Sequence, residues 1–236
     1  MTILQQFTSK TGQLAVLIDP EKSQDIDALA KFVLSLNTAQ VDYIFLGGST
    51  GTNAELLHTL EVIKANTKLP VILFPGSPDQ LSDKADGLLF LSLLSGRNPD
   101  YLIGHHVGSA SKIWEMNLEV MSTGYLVLDS GSPTSVSVES KTEPMNGENH
   151  ELIEATVKAS ILLGHKAIYL DGGSGATKRI GTKLLENVKA YCGVPLIVGG
   201  GIKSRQQWKE LSDVGVNVVV IGNALEENPA LIKEFV

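Results

Sequence analysis

Apolar positions along this chain come mostly as short unbroken runs rather than as in-and-out alternations. Eight such runs stand out: Leu14–Ile18, Tyr43–Leu46, Val71–Phe74, Leu88–Leu93, Gly124–Leu128, Ala167–Leu170, Leu196–Val198 and Val218–Ile221. Unbroken β-branched and leucine-rich runs of this length mark strands of a parallel sheet whose outer face is covered by helices. Helical spacing fills the gaps. Asp25–Leu36 begins with Asp and repeats Ile26, Leu29, Ala30 and Val33. Ala54–Ala65 carries Leu56, Leu57, Leu60 and Ile63 on one stripe, with Asn53 as its expected cap. Glu151–Leu163 and Arg205–Val214 read the same way.

Eight strands alternating with helices over 236 residues predict an α/β fold, a single (β/α)8 TIM barrel spanning 1–236 as one domain, for which ~250 residues is typical. The third unit is weakened. Only PGSPDQLSDKAD separates strands three and four, with two prolines and poor periodicity, so an irregular connection or a short helix is expected there. Residues 129–149 are polar and Ser/Thr-rich, which predicts a loop over the mouth or a mobile lid. A doubly wound open sheet is the alternative, but LIDPEK follows the first strand where a GxGxxG fingerprint would stand.

Composition narrows the class. Nineteen Lys and Arg against 26 Asp and Glu give a net charge of −7, and no basic run supplies the cationic footprint a nucleic-acid binder needs. The single cysteine, Cys192, excludes an internal disulfide framework and thiolate zinc sites and suits a reducing cytoplasm. No apolar run approaches the roughly 18 to 20 residues that span a bilayer, and MTILQQFTSKTGQ lacks the pattern of a secretion signal. A cytoplasmic protein without stable membrane insertion is expected.

The 23 glycines gather just after the strand runs. In a TIM barrel those loops build the site, and the loops after strands seven and eight frequently bind phosphate. Here they read Gly199-Gly200-Gly201 and Gly222-Asn223-Ala224. Backbone N–H groups without an obstructing Cβ, beside a helical start, can hold a phosphomonoester without a basic side chain. One such loop alone would only permit a tight turn; two on consecutive strands favour phosphate. After strand six, Gly173, Ser174 and Gly175 can add donors, while Asp171 either accepts hydrogen bonds from substrate hydroxyls or caps a turn. At strands one and two, Asp19 and Ser49 could share a hard cation such as Mg²⁺, whose other positions substrate phosphates and water would fill. They could equally well cap local turns.

Walker lysine loop, HExxH, GxSxG and Cys/His clusters are absent. His105 and His106, adjacent on an expected helix, cannot face each other; one could reach the site, but ordinary packing or exposure is the plainer reading of both. Trp114 and Trp208 read as packing or interface residues, and Cys192 as too far from the mouth to be a nucleophile.

LIDPEK, FLGGSTG, SLLSGRNPDYLIGHH, TGYLVLDSGS, YLDGGSGA, IVGGGIKS and VIGNA, in this order, resemble the geranylgeranylglyceryl phosphate synthases from about Leu14 to the C-terminus, and more particularly the second of that family's two groups. The resemblance implies a prenyltransferase that joins sn-glycerol 1-phosphate to geranylgeranyl diphosphate through an ether bond, releasing diphosphate, as a first step of ether-lipid synthesis. It implies Mg²⁺ held by Asp19 and Ser49. Glycerol 1-phosphate would be bound by Tyr169, Leu170, Asp171, Gly172, Gly173, Ser174, Gly175, Gly200, Gly201, Gly222 and Asn223. Asp171 and Tyr169 would be the catalytic pair, and a homo-oligomer, dimer or hexamer, is implied. One position departs from the first group: Leu17 stands where those proteins carry a Lys, which shifts phosphate binding onto backbone donors.

A C20 chain also needs an apolar groove, for which the weak third unit with Leu94, Tyr101, Tyr125 and Leu126 offers candidates; core packing is the plainer reading of each alone. The rival function is a sugar-phosphate isomerase using Asp19 and Asp129. Its histidine-biosynthesis relatives carry a phosphate loop in each half, whereas here the third and fourth strands end in FPGS and SLLSG.

Overall fold

The structure, a computed structural model, describes residues 1–131 and 133–235. Ser132, inside the polar 129–149 segment, and Val236, the last residue of the stretch carrying the resemblance, lie outside the described residues. The strands are β1 Gln13–Ile18, β2 Tyr43–Leu46, β3 Val71–Leu73, β4 Gly87–Leu93, β5 Glu119–Val127, β6 Ala167–Asp171, β7 Leu196–Gly199 and β8 Val218–Ile221. They pair in sequence order, all parallel, and β1 pairs with β8 to close the barrel. All eight expected strands are present, which makes the chain a (β/α)8 TIM barrel.

The helices are α1 Ile3–Ser9, α2 Ile26–Leu36, α3 Asn53–Asn66, α4 His105–Glu115, α5 Ser135–Ser140, α6 His150–Leu162, α7 Thr182–Lys189, α8 Arg205–Asp213 and α9 Asn223–Glu227. Asp25 caps α2, its side chain accepting from the Ala28 N–H. The cap of α3 is Thr52 rather than Asn53: Thr52 and Glu55 form a reciprocal capping box that moves the helix start back one residue. No helix lies between β3 and β4 among the described residues, so that connection is irregular; its Leu81 and Ala85 pack on the outer core in a helix's place, and Phe90 of β4 stays only half-buried.

The unbroken apolar runs divide into two layers. Val16, Ile18, Ile44, Leu46, Leu126, Ile168, Leu170, Val198 and Ile221 point outward against the helices. Ala15, Phe45, Leu89, Tyr125, Tyr169, Ile197 and Val220 fill the barrel interior. Both faces of every strand are covered, so the in/out alternation vanishes from the sequence. At the N-terminal end of the barrel, α1 inserts Ile3 and Phe7 among the inward residues. Its first turn is held by Glu119, whose carboxylate accepts from the N–H groups of Ile3 and Leu4. No helix among the described residues is long and apolar enough to cross a membrane.

The 129–149 segment is more ordered than the polar loop its composition predicts. Thr134 starts α5 with a capping box, and Leu128 and Met145 form a β-bridge. The segment reaches the barrel mouth as expected. There Thr134 packs against Gly173, and the Thr177 hydroxyl donates to the Ser130 carbonyl.

Candidate active site

A cavity of about 230 Å³ opens at the C-terminal end of the barrel. Its wall brings together Asp19, Ser49, Tyr169, Asp171, Gly173, Ser174, Gly175, Gly200, Gly201, Gly222 and Asn223. Of the residues expected to bind substrate, Leu170 and Gly172 do not line it. Leu170 alternates outward, so its side chain lies in the layer between barrel and helices and only its backbone belongs near the mouth. Gly172 sits behind Gly200: a Cβ on Gly200, which has φ +87, would come within 2.7 Å of the Gly172 backbone. The two backbones can approach this closely because Gly200 carries no side chain, whereas a Cβ on Gly172 would make only ordinary contacts, 3.6 Å from the Gly200 Cα. The Gly172 N–H donates to the Gly199 carbonyl, and the Ser174 hydroxyl donates to the Asn223 side chain. These contacts lock the loops after β6, β7 and β8 into one rim. Helix α9 has five residues, so the dipole it adds is small and this end of the cavity is mainly a backbone cradle.

Asp171 ends β6 almost wholly buried. One oxygen, Oδ1, accepts from the Gly173 N–H at 2.8 Å, and the other, Oδ2, accepts from the Tyr125 hydroxyl at 2.6 Å. The first contact is the turn-capping role considered for it; the second was not legible in sequence. Burial pushes its pKa above the usual aspartate value, and the two donors pull it part of the way back. Tyr169 stacks on Phe74 at 5.3 Å and meets Tyr125 edge-on at 5.3 Å. Its hydroxyl lies over Gly199, in space a Cβ there would claim.

Asp19 leans across to the loop after β2. Its Oδ1 occupies the place a Cβ on Gly48 would take, 2.4 Å from that ideal position. The same oxygen accepts from the Glu21 N–H at 3.1 Å, so the turn-capping reading holds for one oxygen. Ser49 lines the cavity beside it and is no cap, because Thr52 caps α3. Asp19 faces Lys22 at 3.7 Å, and Lys22 is paired at 2.9 Å with Glu226 of α9. Burial raises the Asp19 pKa against the pull of Lys22. Lys22 stood in the LIDPEK motif, and only its position in a loop after a strand could have marked it. Leu17 lines the cavity against Gly222. Asp129 is exposed, caps its own turn through the Gly131 N–H and does not line the cavity, which removes the second acid of the isomerase reading.

A second, apolar trough adjoins the cavity and shares Pro75, Gly76, Leu91, Tyr125 and Val136 with it. It runs from the helix-less connection after β3 along β4 toward α4. Tyr101 and Tyr125 line it as expected, whereas Leu94 and Leu126 are packed into the outer core. Both His105 and His106 line it too, where at most one was expected to reach the site. A π-helical turn, Asp100–Gly104, leads into α4, and across it Tyr101 meets His105 edge-on at 4.7 Å. His106 meets Phe90 at 4.5 Å, and burial lowers its pKa. Trp208 is a packing residue whose indole N–H donates to the Gly12 carbonyl, Trp114 is 92% exposed, and Cys192 is buried ahead of β7 at the far end.

The chain is similar along its whole length to proteins of one kind. It is 44% identical over 233 residues to the geranylgeranylglyceryl phosphate synthase of Flavobacterium johnsoniae, covering 96% of this chain and 95% of that protein. It is 43% identical over 221 residues to that of Chitinophaga pinensis, covering 94% and 87%. The crystal structure of (S)-3-O-geranylgeranylglyceryl phosphate synthase from Thermoplasma acidophilum in complex with its substrate sn-glycerol-1-phosphate superposes with a TM-score of 0.91 at 29% identity, covering 100% of this chain and 96% of that one. The sequence pattern of the PcrB family matches residues 7–236, from the phenylalanine that plugs the barrel to the last residue, and the chain belongs to that family.

Proposed function

We propose that this protein is a Mg²⁺-dependent geranylgeranylglyceryl phosphate synthase that transfers a prenyl group to sn-glycerol 1-phosphate. The observation that carries the reading is one opening with three neighbouring parts: a glycine cradle at β6–β8, oxygen ligands at β1–β2 and an apolar trough alongside. The cradle takes the glycerol phosphate, and Asp171 accepts hydrogen bonds from the glycerol hydroxyls. A carboxylate held above the ordinary range is also a competent acceptor for the proton of the attacking primary hydroxyl. The oxygen of that hydroxyl bonds to the allylic carbon as the carbon–diphosphate bond breaks, and diphosphate leaves. Holding acceptor and allylic carbon face to face is chiefly a positioning effect.

The lining itself supports a divalent ion. Five carboxylates (Asp19, Glu21, Asp171, Glu226 and Glu227) face the cavity against two lysines, Lys22 and Lys203. Two phosphorylated substrates would meet net repulsion there unless a cation offset it. Asp19 and Ser49 offer the hard oxygens Mg²⁺ prefers. When bound, Mg²⁺ would neutralise charge growing on the leaving diphosphate.

The trough holds the prenyl chain, and geranylgeranyl diphosphate is the donor the relatives' name supports. The product would enter ether-lipid and phospholipid synthesis, and the enzyme would work in the cytoplasm. It would assemble as a homo-oligomer, for which the exposed Ile103, Val107 and Trp114 on and beside α4 offer apolar surface. The test is direct incubation with Mg²⁺, glycerol 1-phosphate and radiolabelled prenyl diphosphates of several lengths. Labelled ether product, lost on adding EDTA, is expected; no transfer with any donor refutes the reading.

A further inference from the structure

Two strands set the position of Tyr125. In the β5–β6 register Tyr125 lies opposite Tyr169, and Val127 lies opposite Asp171. The Tyr125 ring therefore reaches diagonally along the barrel interior to place its hydroxyl on Asp171, 2.6 Å from Oδ2. The phenol is buried and its pKa lies far above the ordinary value, so it stays protonated and donates. Gly173 donates to Oδ1 from the same strand's loop. A carboxylate has about four acceptor sites. With two used by fixed donors on opposite oxygens, rotation of the group is stopped and the remaining sites are left for a ligand. Tyr125 also lines both the polar cavity and the apolar trough.

We infer that Tyr125 is a positioning residue for glycerol 1-phosphate: its hydroxyl fixes the plane of the Asp171 carboxylate toward the glycerol hydroxyls, while its ring belongs to the wall of the trough. The inference rests on the acceptor reading of the previous subsection and extends it. Other ionisable groups around the site are Tyr169 on β6 and, around the cavity wall, Asp19, Glu21, Lys22, Lys203, Glu226 and Glu227. None of these is hydrogen-bonded to Asp171 among the described residues.

Tyr125→Phe keeps the ring and removes the donor, so the two roles separate. Calorimetry on the full chain should show glycerol 1-phosphate bound about tenfold more weakly, as expected for loss of one hydrogen bond to a charged group. Binding of inorganic phosphate, which occupies only the cradle, should be unchanged. In turnover the KM for the acceptor should rise while that for the prenyl diphosphate holds. The acid limb of kcat/KM should move to higher pH, because a donor that favoured the ionised carboxylate is gone. In an Asp171→Asn background the same substitution should cost nothing further, since Tyr125 acts through Asp171. Equal affinity for glycerol 1-phosphate in wild type and Tyr125→Phe, or full additivity with Asp171→Asn, overturns the assignment. Wild-type protein that binds phosphate but not glycerol 1-phosphate takes down the acceptor reading itself.

Discussion

Asp171 carries opposite consequences for chemistry and for stability. Burial holds its pKa above the ordinary aspartate range, so the folded protein binds this proton more tightly than the unfolded chain does. Stability contributed by the group is therefore full at low pH. It falls as pH rises from the ordinary range, about 4, through the raised native value. At pH 7 the ionised carboxylate weakens the fold. Asp171→Asn should slow turnover by ~10²- to 10⁴-fold, yet its thermal midpoint at pH 7 should equal or exceed that of wild type, with the advantage fading towards pH 3. A lower midpoint at pH 7 would mean that the Tyr125 and Gly173 hydrogen bonds outweigh desolvation. Asp19→Asn should leave the midpoint nearly unchanged and raise the Mg²⁺ concentration needed for half-maximal rate at least ~10-fold, as loss of a charged ligand to a hard cation implies. An unaltered Mg²⁺ dependence excludes Asp19 as a ligand. Residue-level legibility followed backbone demands. Gly200 and Gly201 announced themselves because a close approach tolerates nothing else, and Asp171 because it ends a strand beside them. Tyr125 was legible as a groove candidate but its bond to Asp171 was not, because that partner lies on the next strand, 46 positions away.

At the scale of elements, the missing helix between β3 and β4 matters more than the helices present. It leaves Phe90 only half-buried and opens a space between β4 and α4, where Phe90, His105, His106, Ser109 and Ile113 line the trough. The weakness of the third unit was visible in its two prolines and marked it as the candidate groove, but the part of α4 in its wall was not legible, since α4 shows only a scattered apolar pattern. Helix α5 was hidden for another reason. Its SVSVES run has poor helix propensity, and what holds it is the Thr134 capping box and the packing of Thr134 on Gly173. Ser109, buried in the trough wall with its hydroxyl donating to the His105 carbonyl, is the place to shorten the space. Ser109→Phe should raise the KM for a C20 diphosphate by ~10-fold or more while C10 and C15 donors lose less, in keeping with the 1–3 kcal/mol cost of overpacking. Product profiles from a mixed-donor assay read this directly. An equal loss for all lengths places the chain elsewhere.

Across the whole molecule, the two ends of the barrel divide the work. The mouth carries glycines that lose much backbone freedom on folding, a buried carboxylate and an open apolar wall, all of which cost stability. The opposite end is sealed. Phe7 of α1 is fully buried, edge-on to Tyr43 at 4.9 Å and tilted against Phe45 at 6.3 Å. Its carbonyl accepts from the Gln13 amide, whose oxygen in turn accepts from the Tyr43 hydroxyl. No periodicity foretold this helix: it is seven residues long, and its two anchoring side chains find their partners on strands far along the chain. Because strand interiors separate Phe7 from the mouth, damage there should be felt as stability alone. Phe7→Ala removes a full aromatic side chain from a closed interior and should cost about 3–5 kcal/mol, lowering the thermal midpoint by roughly 6–20 °C for a chain of this size. Well below that midpoint, both substrate KM values and kcat should match wild type. A midpoint shift of that size with unchanged kinetics assigns α1 to the stability of the barrel. A change in acceptor KM would instead mean that packing at the sealed end reaches the phosphate loops through β1 and β8, the two strands that close the barrel between them.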